Sequence, residues 1–460
     1  MRKKIIIALA VIMTFALIVM LPSCKGAAVS EATSAETTTV EATTEVETEE
    51  TSAETKAEEQ VVIEFWQPHD MPITLDHYKK AIAEFEALNP NIKIEMTTIP
   101  WSDIFTKWMA AIEANDTPDV TVASTAYTLT LNNIGALLPV DYVIERMGGT
   151  EIFADSAKSL YEMSIIDGKL IAIPFIQNAS LLWYNEQALK DAGLEVPKTW
   201  DELMNAAKVL TTKDHYGILV TGDHRSHTTL HCYYSFMLSN DTDIFDRKTG
   251  ELIFNNPNNL EAIKFYTDLA KYSPPDSFSY QLPDAEAAMG TGKIDMFVYG
   301  SWLNQSLHDN SPETWKKFKV AGVPTNKGRG NLMGHANIAI FKNTEHPEEA
   351  AKWVEFLLTG DTYLRFVMYD PVTNIPCFKE TLESDKFWND PKVIENKDKI
   401  DVILKELPYG WMYGVPSPFA GAIEGNGTIG LAIEKVWADG KTPQVAMDET
   451  TEELKKIIGQ

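Results

Sequence analysis

Val61-Val62-Ile63-Glu64-Phe65-Trp66, running into the polar loop Gln67-Pro68-His69-Asp70, has the composition of a buried strand that stops at turn residues. Leu75, Tyr78, Ile82 and Phe85 follow at three- and four-residue steps and predict a helix that Asn89-Pro90 ends. Ile92-Lys93-Ile94-Glu95-Met96 then alternates as a strand does. A second helix is expected with Ile104, Phe105, Trp108, Met109 and Ile112 on one face, and Pro118-Asp119-Val120-Thr121-Val122-Ala123 reads as a third strand. Strand, helix, strand, helix, strand implies an α/β chain with a largely parallel sheet and helices on both faces. In such sheets ligands sit beyond the carboxyl ends of the strands. That directs attention to the loops at Trp66 to Asp70 and at Ser124 to Tyr127.

Upstream of this stretch the chain opens with Arg2, Lys3 and Lys4 and an apolar run from Ile5 to Leu21, the pattern of an export signal. A spanning helix is the rival, because the run approaches the roughly 20 residues a bilayer requires. Leu21-Pro22-Ser23-Cys24 resembles the lipobox of bacterial lipoproteins, which implies cleavage after residue 23 and acylation of Cys24. Residues 24–60 contain ten glutamates among Thr, Ser and Ala; such a segment cannot bury a core and reads as a self-repelling, disordered tether.

The whole chain carries a formal charge of −26 and shows no Lys/Arg cluster interleaved with aromatics, so nucleic acid is not an expected partner. The roughly 400 residues after the tether exceed one ordinary core, and two lobes are expected. Cys232 and Cys377 are too few for a disulfide scaffold, and their pairing is open. Asp167-Gly168-Lys169 predicts a hairpin turn. Thr199 predicts a helix start, with Asp201 and Glu202 at the positive dipole end. Further helices are expected at 259–271, 346–358 and 448–458.

Asp167-Gly168-Lys169, Ile173-Pro174, Leu182-Trp183-Tyr184-Asn185, Gly193-Leu194 and Pro197-Lys198-Thr199-Trp200-Asp201-Glu202-Leu203 occur in an order and spacing that resembles the family-1 extracellular solute-binding proteins. Lys293-Ile294-Asp295-Met296 with Gly300-Ser301-Trp302, Ala321-Gly322-Val323-Pro324, and His346-Pro347-Glu348-Glu349-Ala350-Ala351 extend the likeness over residues 61–460. The resemblance implies an α/β, two-lobed periplasmic-binding-protein fold with a hinge and an interlobe ligand cleft. Lobe 1 would comprise 61–175 and 325–375, and lobe 2 would comprise 176–324 and 376–460. The implied function is capture of a sugar or short oligosaccharide for an ABC permease, without turnover. The implied place is the outer face of the bacterial cytoplasmic membrane.

A sugar presents hydroxyls and apolar C–H faces, so its site should combine aromatic planes with amides and carboxylates. The residues that the resemblance or their loop positions put forward are Trp66, His69, Asp70, Ser124, Tyr127, Asn178, Trp302, His335, Asn337, Trp411 and Phe419. Each has a competing reading as core, packed loop or solvated loop. Asn178 stands where the best-known member of the family carries a carboxylate, which implies a different sugar. The alternatives are the same fold binding a polyamine, phosphorylated polyol or peptide, and a secreted glycosidase needing two carboxylates across the site.

No cofactor is expected. His224, His227, His231 and Cys232 lack a completed zinc motif and read better as a polar helix. Asp241, Asp243 and Asp246 lack the glycine of a calcium loop. Gly290-Thr291-Gly292-Lys293 fails the phosphate-loop pattern because Ala287 replaces its first glycine and Ile294 follows the lysine.

Overall fold

The computed structural model describes residues 60–69 and 71–460. The export signal, Cys24, the tether and Asp70 lie outside the described residues. Strands β1 (Val61–Gln67) and β2 (Ile92–Thr98) pair in parallel along their whole length, and β1 also pairs in parallel with β3 (Val120–Ala123). Between them run helices α1 (Pro72–Leu88) and α2 (Trp101–Ala114). Phe65 of β1 meets Tyr78 of α1 and Trp353 of the later helix Pro347–Leu358 edge-on, at ring separations of 5.4 and 5.7 Å. The face read for α2 is shifted slightly. Ile104, Trp108 and Ala111 are buried, whereas Met109 is exposed.

Beyond β3 lie β4 (Leu137–Leu138) and a short hairpin of β5 (Ile165–Ile166) and β6 (Lys169–Leu170). Its turn residues Asp167 and Gly168 both have positive φ, 52° and 74°, as a two-residue hairpin turn of this hand requires. The chain then enters β7 (Ile173–Asn185), which belongs to two sheets. Residues Ile173 to Ala179 pair with β10 (Asn331–Phe341), and Ser180 to Asn185 pair with β8 (Met296–Gly300) and β9 (Phe318–Ala321), all antiparallel.

Strand β10 closes the first sheet by inserting between β3 and β7, antiparallel to both. The largely parallel sheet expected from the strand–helix alternation is therefore corrected to a mixed one. The parallel part is β2-β1-β3; β10 runs against it, and β7, antiparallel to β10, again runs with it. A register shift between Ala336 and Asn337 lies opposite Pro174, which has no N–H to give a ladder, so the irregularity falls where a hydrogen bond is missing anyway. Strands β11 (Ile375–Pro376) and β12 (Gly410–Trp411) attach to β7 and β10 respectively.

The helix Trp200–Leu210 begins at Thr199 as the sequence predicts. The Glu202 N–H donates to Thr199 Oγ1 (3.3 Å), and the Thr199 N–H donates back to Glu202 Oε2 (3.1 Å), so two free amides at the helix start are satisfied reciprocally. The other three expected helices occupy Pro257–Leu269, Pro347–Leu358 and Pro443–Ile458. No helix among the described residues is long and apolar enough to cross a membrane.

Candidate functional site

Strand β3 delivers Ser124 to the start of helix α3 (Thr125–Asn133), where its Oγ accepts the Tyr127 N–H at 3.3 Å. The same hydroxyl donates to Glu424 Oε2 at 3.4 Å, joining this turn to the helix Ala420–Gly425. Strand β10 braces the turn from below. The Thr125 N–H donates to His335 Nε2 (3.1 Å), the Thr125 hydroxyl also contacts that nitrogen, and Asn337 Nδ2 donates to Thr125 Oγ1 (2.9 Å) and Thr128 Oγ1 (3.3 Å). His335 and Asn337 are thus engaged in positioning α3. Burial pulls His335 down to about 3, so it is neutral, while Asn337 Oδ1 has no partner.

Tyr127 is fully buried, stacked on Phe105 at 5.2 Å and edge-on to Trp108 at 5.6 Å, and its hydroxyl has no partner. Trp66, half-buried at the end of β1, packs against the same apolar cluster. His69 lies among Tyr78, Trp101 and Phe366 at 5.8–6.3 Å, with Nδ1 3.3 Å from the Tyr78 hydroxyl. Burial lowers it to about 4.

Where β7 leaves the first sheet, Asn178 sits directly opposite Gly334 of β10. Its Nδ2 donates to the Thr373 carbonyl (3.1 Å), and its Oδ1 is buried without a partner. The Trp302 ring lies over two glycines. A Cβ on Gly300 would stand 2.1 Å from the indole and a Cβ on Gly334 2.9 Å from it, so both positions need glycine for this ring to occupy its place. Trp302 is half-buried and meets His231 and Tyr299 edge-on at 5.1 and 5.3 Å. Trp411 and Phe419 are also half-buried. One face of Trp411 carries the Arg247 guanidinium at 4.1 Å, and its Nε1 is buried without a partner.

Three residues of this neighbourhood escaped the sequence reading as ligand groups. Glu424 is 5 % exposed and, among the described residues, has Ser124 as its sole hydrogen-bond partner. Burial pushes its carboxyl up to about 8, against the opposing pull of that bond. Tyr413 is fully buried in a left-handed conformation (φ 38°), with an unpartnered hydroxyl, 5.0 Å from the Tyr234 ring and 6.3 Å from His231. His231 itself has an unpartnered Nδ1. The available signal for Glu424 was a lone carboxylate inside the small-residue segment Ala420-Gly421-Ala422-Ile423-Glu424-Gly425.

The histidine–cysteine group does not converge. His227 and His231 are neighbours at 5.9 Å, but the Cys232 thiol turns away to donate to the Val298 carbonyl (3.0 Å) and His224 pairs with Glu434 at 2.5 Å. Asp223, His224 and Glu434 bring ligand atoms within 4.8 Å of one another, yet Arg225 already neutralises Asp223. Asp243 binds Tyr234 and Arg247, and Asp246 accepts from the turn amides of Lys248 and Thr249, so these two serve separate local networks. Cys232 and Cys377 are both buried and unpaired. A core void of about 10 Å³ beside His77 and an open recess of about 490 Å³ at Glu251, Lys455 and Gln460 touch none of the candidate residues.

Ser124, Tyr127, Glu424, Tyr413, His231, Trp302 and Asn178 therefore form a continuous band from α3 across to β7 and β8. Comparison with known proteins places the fold. A solute-binding protein of an ABC transporter from Thermotoga lettingae, bound to α-D-tagatose, is 24 % identical; it superposes with a TM-score of 0.75 over 86 % of this chain and 100 % of its own. An ABC substrate-binding protein from Listeria monocytogenes in complex with cycloalternan, also 24 % identical, gives 0.73 over 87 % and 100 %. The multiple sugar-binding protein of Streptococcus mutans is 26 % identical over 346 residues, 72 % of this chain and 78 % of that protein. These structures share the two-lobed α/β architecture with the present chain. The model of the bacterial extracellular solute-binding proteins matches residues 73–361, well over half of the sequence, and the chain belongs to that family.

Proposed function

We propose that the protein captures a sugar or short oligosaccharide in a cleft between two lobes and hands it to the permease of an ABC importer, without chemical turnover. The observation that carries this reading is a set of buried polar atoms that have no partner among the described residues and lie on the band or on the strands and turns beside it. Asn178 Oδ1, Asn337 Oδ1, Ser301 Oγ, the Tyr127 and Tyr413 hydroxyls, His231 Nδ1 and Trp411 Nε1 all belong to it. Buried polar groups are almost always hydrogen-bonded, and a polyhydroxylated ligand supplies the complementary donors and acceptors. Relatives of the same family bind tagatose, cycloalternan and multiple sugars, which supports the same ligand class here. Among the described residues a single buried carboxylate, Glu424, lies in the band, whereas glycoside hydrolysis requires two.

In this reading Trp302 is the stacking platform, and Asn178, Ser124, Tyr127 and Glu424 line the cleft. Trp66, His69, Trp411 and Phe419 form its rim, His335 and Asn337 its floor, and Asp70 is kept as a further ligand group. We take the lobes as 61–175 with 325–375 and 176–324 with 376–460, and a ligand touching both favours the closed state. Members of the family work outside the cytoplasm. We place this one on the outer face of the cytoplasmic membrane through acylated Cys24, with residues 25–60 as tether. A thermal-shift screen against mono- and oligosaccharides tests the function. A ligand at one hundred times its Kd stabilises by about 2.7 kcal/mol, and a panel in which no saccharide shifts the midpoint overturns the proposal.

A further inference from the structure

Glu424, Tyr127 and Tyr413 converge from three separate elements. They come from the helix Ala420–Gly425, from α3 and from the loop after β12. All three are buried, and the charge of Glu424 bears on both phenols, as Tyr127 bears on Tyr413. Among the described residues the two phenol hydroxyls have no partner, and the carboxylate has one long bond from Ser124. What packs around the carboxylate is uncharged. Gly421 lies against Ala126, Tyr127 and Thr130, and Gly425 lies against the Phe105 ring. No lysine, arginine or histidine pairs with Glu424 among the described residues. The histidines along the band offer no cation either, since burial holds His227, His231 and His335 neutral.

A desolvated carboxylate without a counter-charge is costly, and removing that cost requires either a proton or a cation. A primary ammonium has three N–H donors in a compact head and no acceptor. Glu424, the Tyr127 oxygen and the Tyr413 oxygen offer it three buried acceptors, one of them charged. A neutral hydroxyl can donate to the carboxylate and accept from a phenol, but it brings no charge to offset that of Glu424. The formal charge of −26 adds a long-range pull on cations in the same direction. We propose that the saccharide this cleft selects carries a primary amine, held as its ammonium by the Glu424 carboxylate and the hydroxyl oxygens of Tyr127 and Tyr413. The inference rests on the saccharide-binding reading and narrows it.

Isothermal titration calorimetry on the purified protein tests it with matched probes: glucosamine, N-acetylglucosamine and glucose; the corresponding galactose series; the β-1,4-linked glucosamine dimer against cellobiose; and putrescine as an amine without a sugar. An amine-bearing sugar should bind at least tenfold more tightly than its hydroxyl and acetamide counterparts. In Glu424→Gln, an uncharged near-isostere, that preference should shrink to within about threefold, while the thermal midpoint near neutral pH shows the variant folded. Tyr413→Phe, which deletes one acceptor, should lower the preference part of the way. Equal or tighter binding of the hydroxyl form, or a preference that persists in Glu424→Gln, overturns the inference and leaves saccharide binding standing. Putrescine binding more tightly than every amino sugar overturns it as well. A protein that binds none of the sugars loses both readings.

Discussion

Replacing Gly334 with alanine probes the cleft without deleting any ligand group. Gly334 lies on β10 directly opposite Asn178 of β7, and a Cβ there would stand 1.9 Å from Asn178 Oδ1 and 2.9 Å from Trp302 Cζ3. Ordinary contact at such a carbon begins near 3.4 Å, so the amide must retreat by about 1.5 Å and the indole by about 0.5 Å. The strand cannot give way, because the β10 ladder with β7 runs through this very pair. The amide therefore turns, losing its 3.1 Å bond to the Thr373 carbonyl, and the indole tilts off its seat. Overpacking of this kind costs about 1–3 kcal/mol and the lost bond about 1 kcal/mol. The thermal midpoint should fall by several degrees without unfolding the protein. Displacing both a stacking plane and a polar contact should weaken binding of the saccharide found by the screen at least tenfold, equivalent to about 1.4 kcal/mol. Calorimetric affinity and thermal midpoint are measured on the same preparation. A lowered midpoint with affinity within twofold of wild type would falsify the assignment of Asn178 and Trp302 to the ligand.

Glu424→Gln should change the pH profile of stability in the ligand-free protein. With the folded carboxyl raised to about 8 from an ordinary 4.5, both states are protonated in acid; the unfolded chain ionises first as pH rises, so wild type loses stability between about pH 5 and 8 while the variant does not. The variant's midpoint should exceed that of wild type at pH 8 and converge with it below pH 5, and parallel curves would refute a buried, proton-bearing Glu424. Thr199→Ala removes the reciprocal cap of the helix Trp200–Leu210 and should cost about 1 kcal/mol in denaturant unfolding, with saccharide affinity unchanged. Cys24→Ser should move the protein from the membrane pellet to the soluble fraction; an unchanged pellet fraction would restore the spanning-helix reading of residues 5–21.

The elements that the sequence announced are those whose signal is local. The three- and four-residue spacing in α1, the positive-φ demand at Asp167-Gly168 and the Thr199–Glu202 cap depend on neighbours within four residues, and each reappears in the structure. Helix ends were less legible: Asn256 and Thr442, as caps ahead of prolines, set starts earlier than the apolar periodicity did. Strand partners depend on residues far apart in the chain, so the antiparallel insertion of β10 between β3 and β7 could not be read from alternation. The band combined both kinds of information. Trp302 and Asn178 stand at motif positions, whereas Glu424 became a candidate once the helix Ala420–Gly425 was seen packed on α3, 300 residues from Ser124.

The insertion of β10 also dictates when the protein can acquire its shape. Strand β3 ends at Ala123, and the neighbour that covers its free edge starts at Asn331, so an entropically demanding loop of some two hundred residues must close before the first sheet is complete. A chain emerging N-terminus first, from a ribosome or through a membrane, therefore carries β1, β2 and β3 as an exposed three-stranded edge until residue 341 is free. Sheet completion is therefore a late event. A holding chaperone that covers that edge should speed the yield of native protein more than any substitution within β1 to β3, because the delay lies in chain length rather than in local stability.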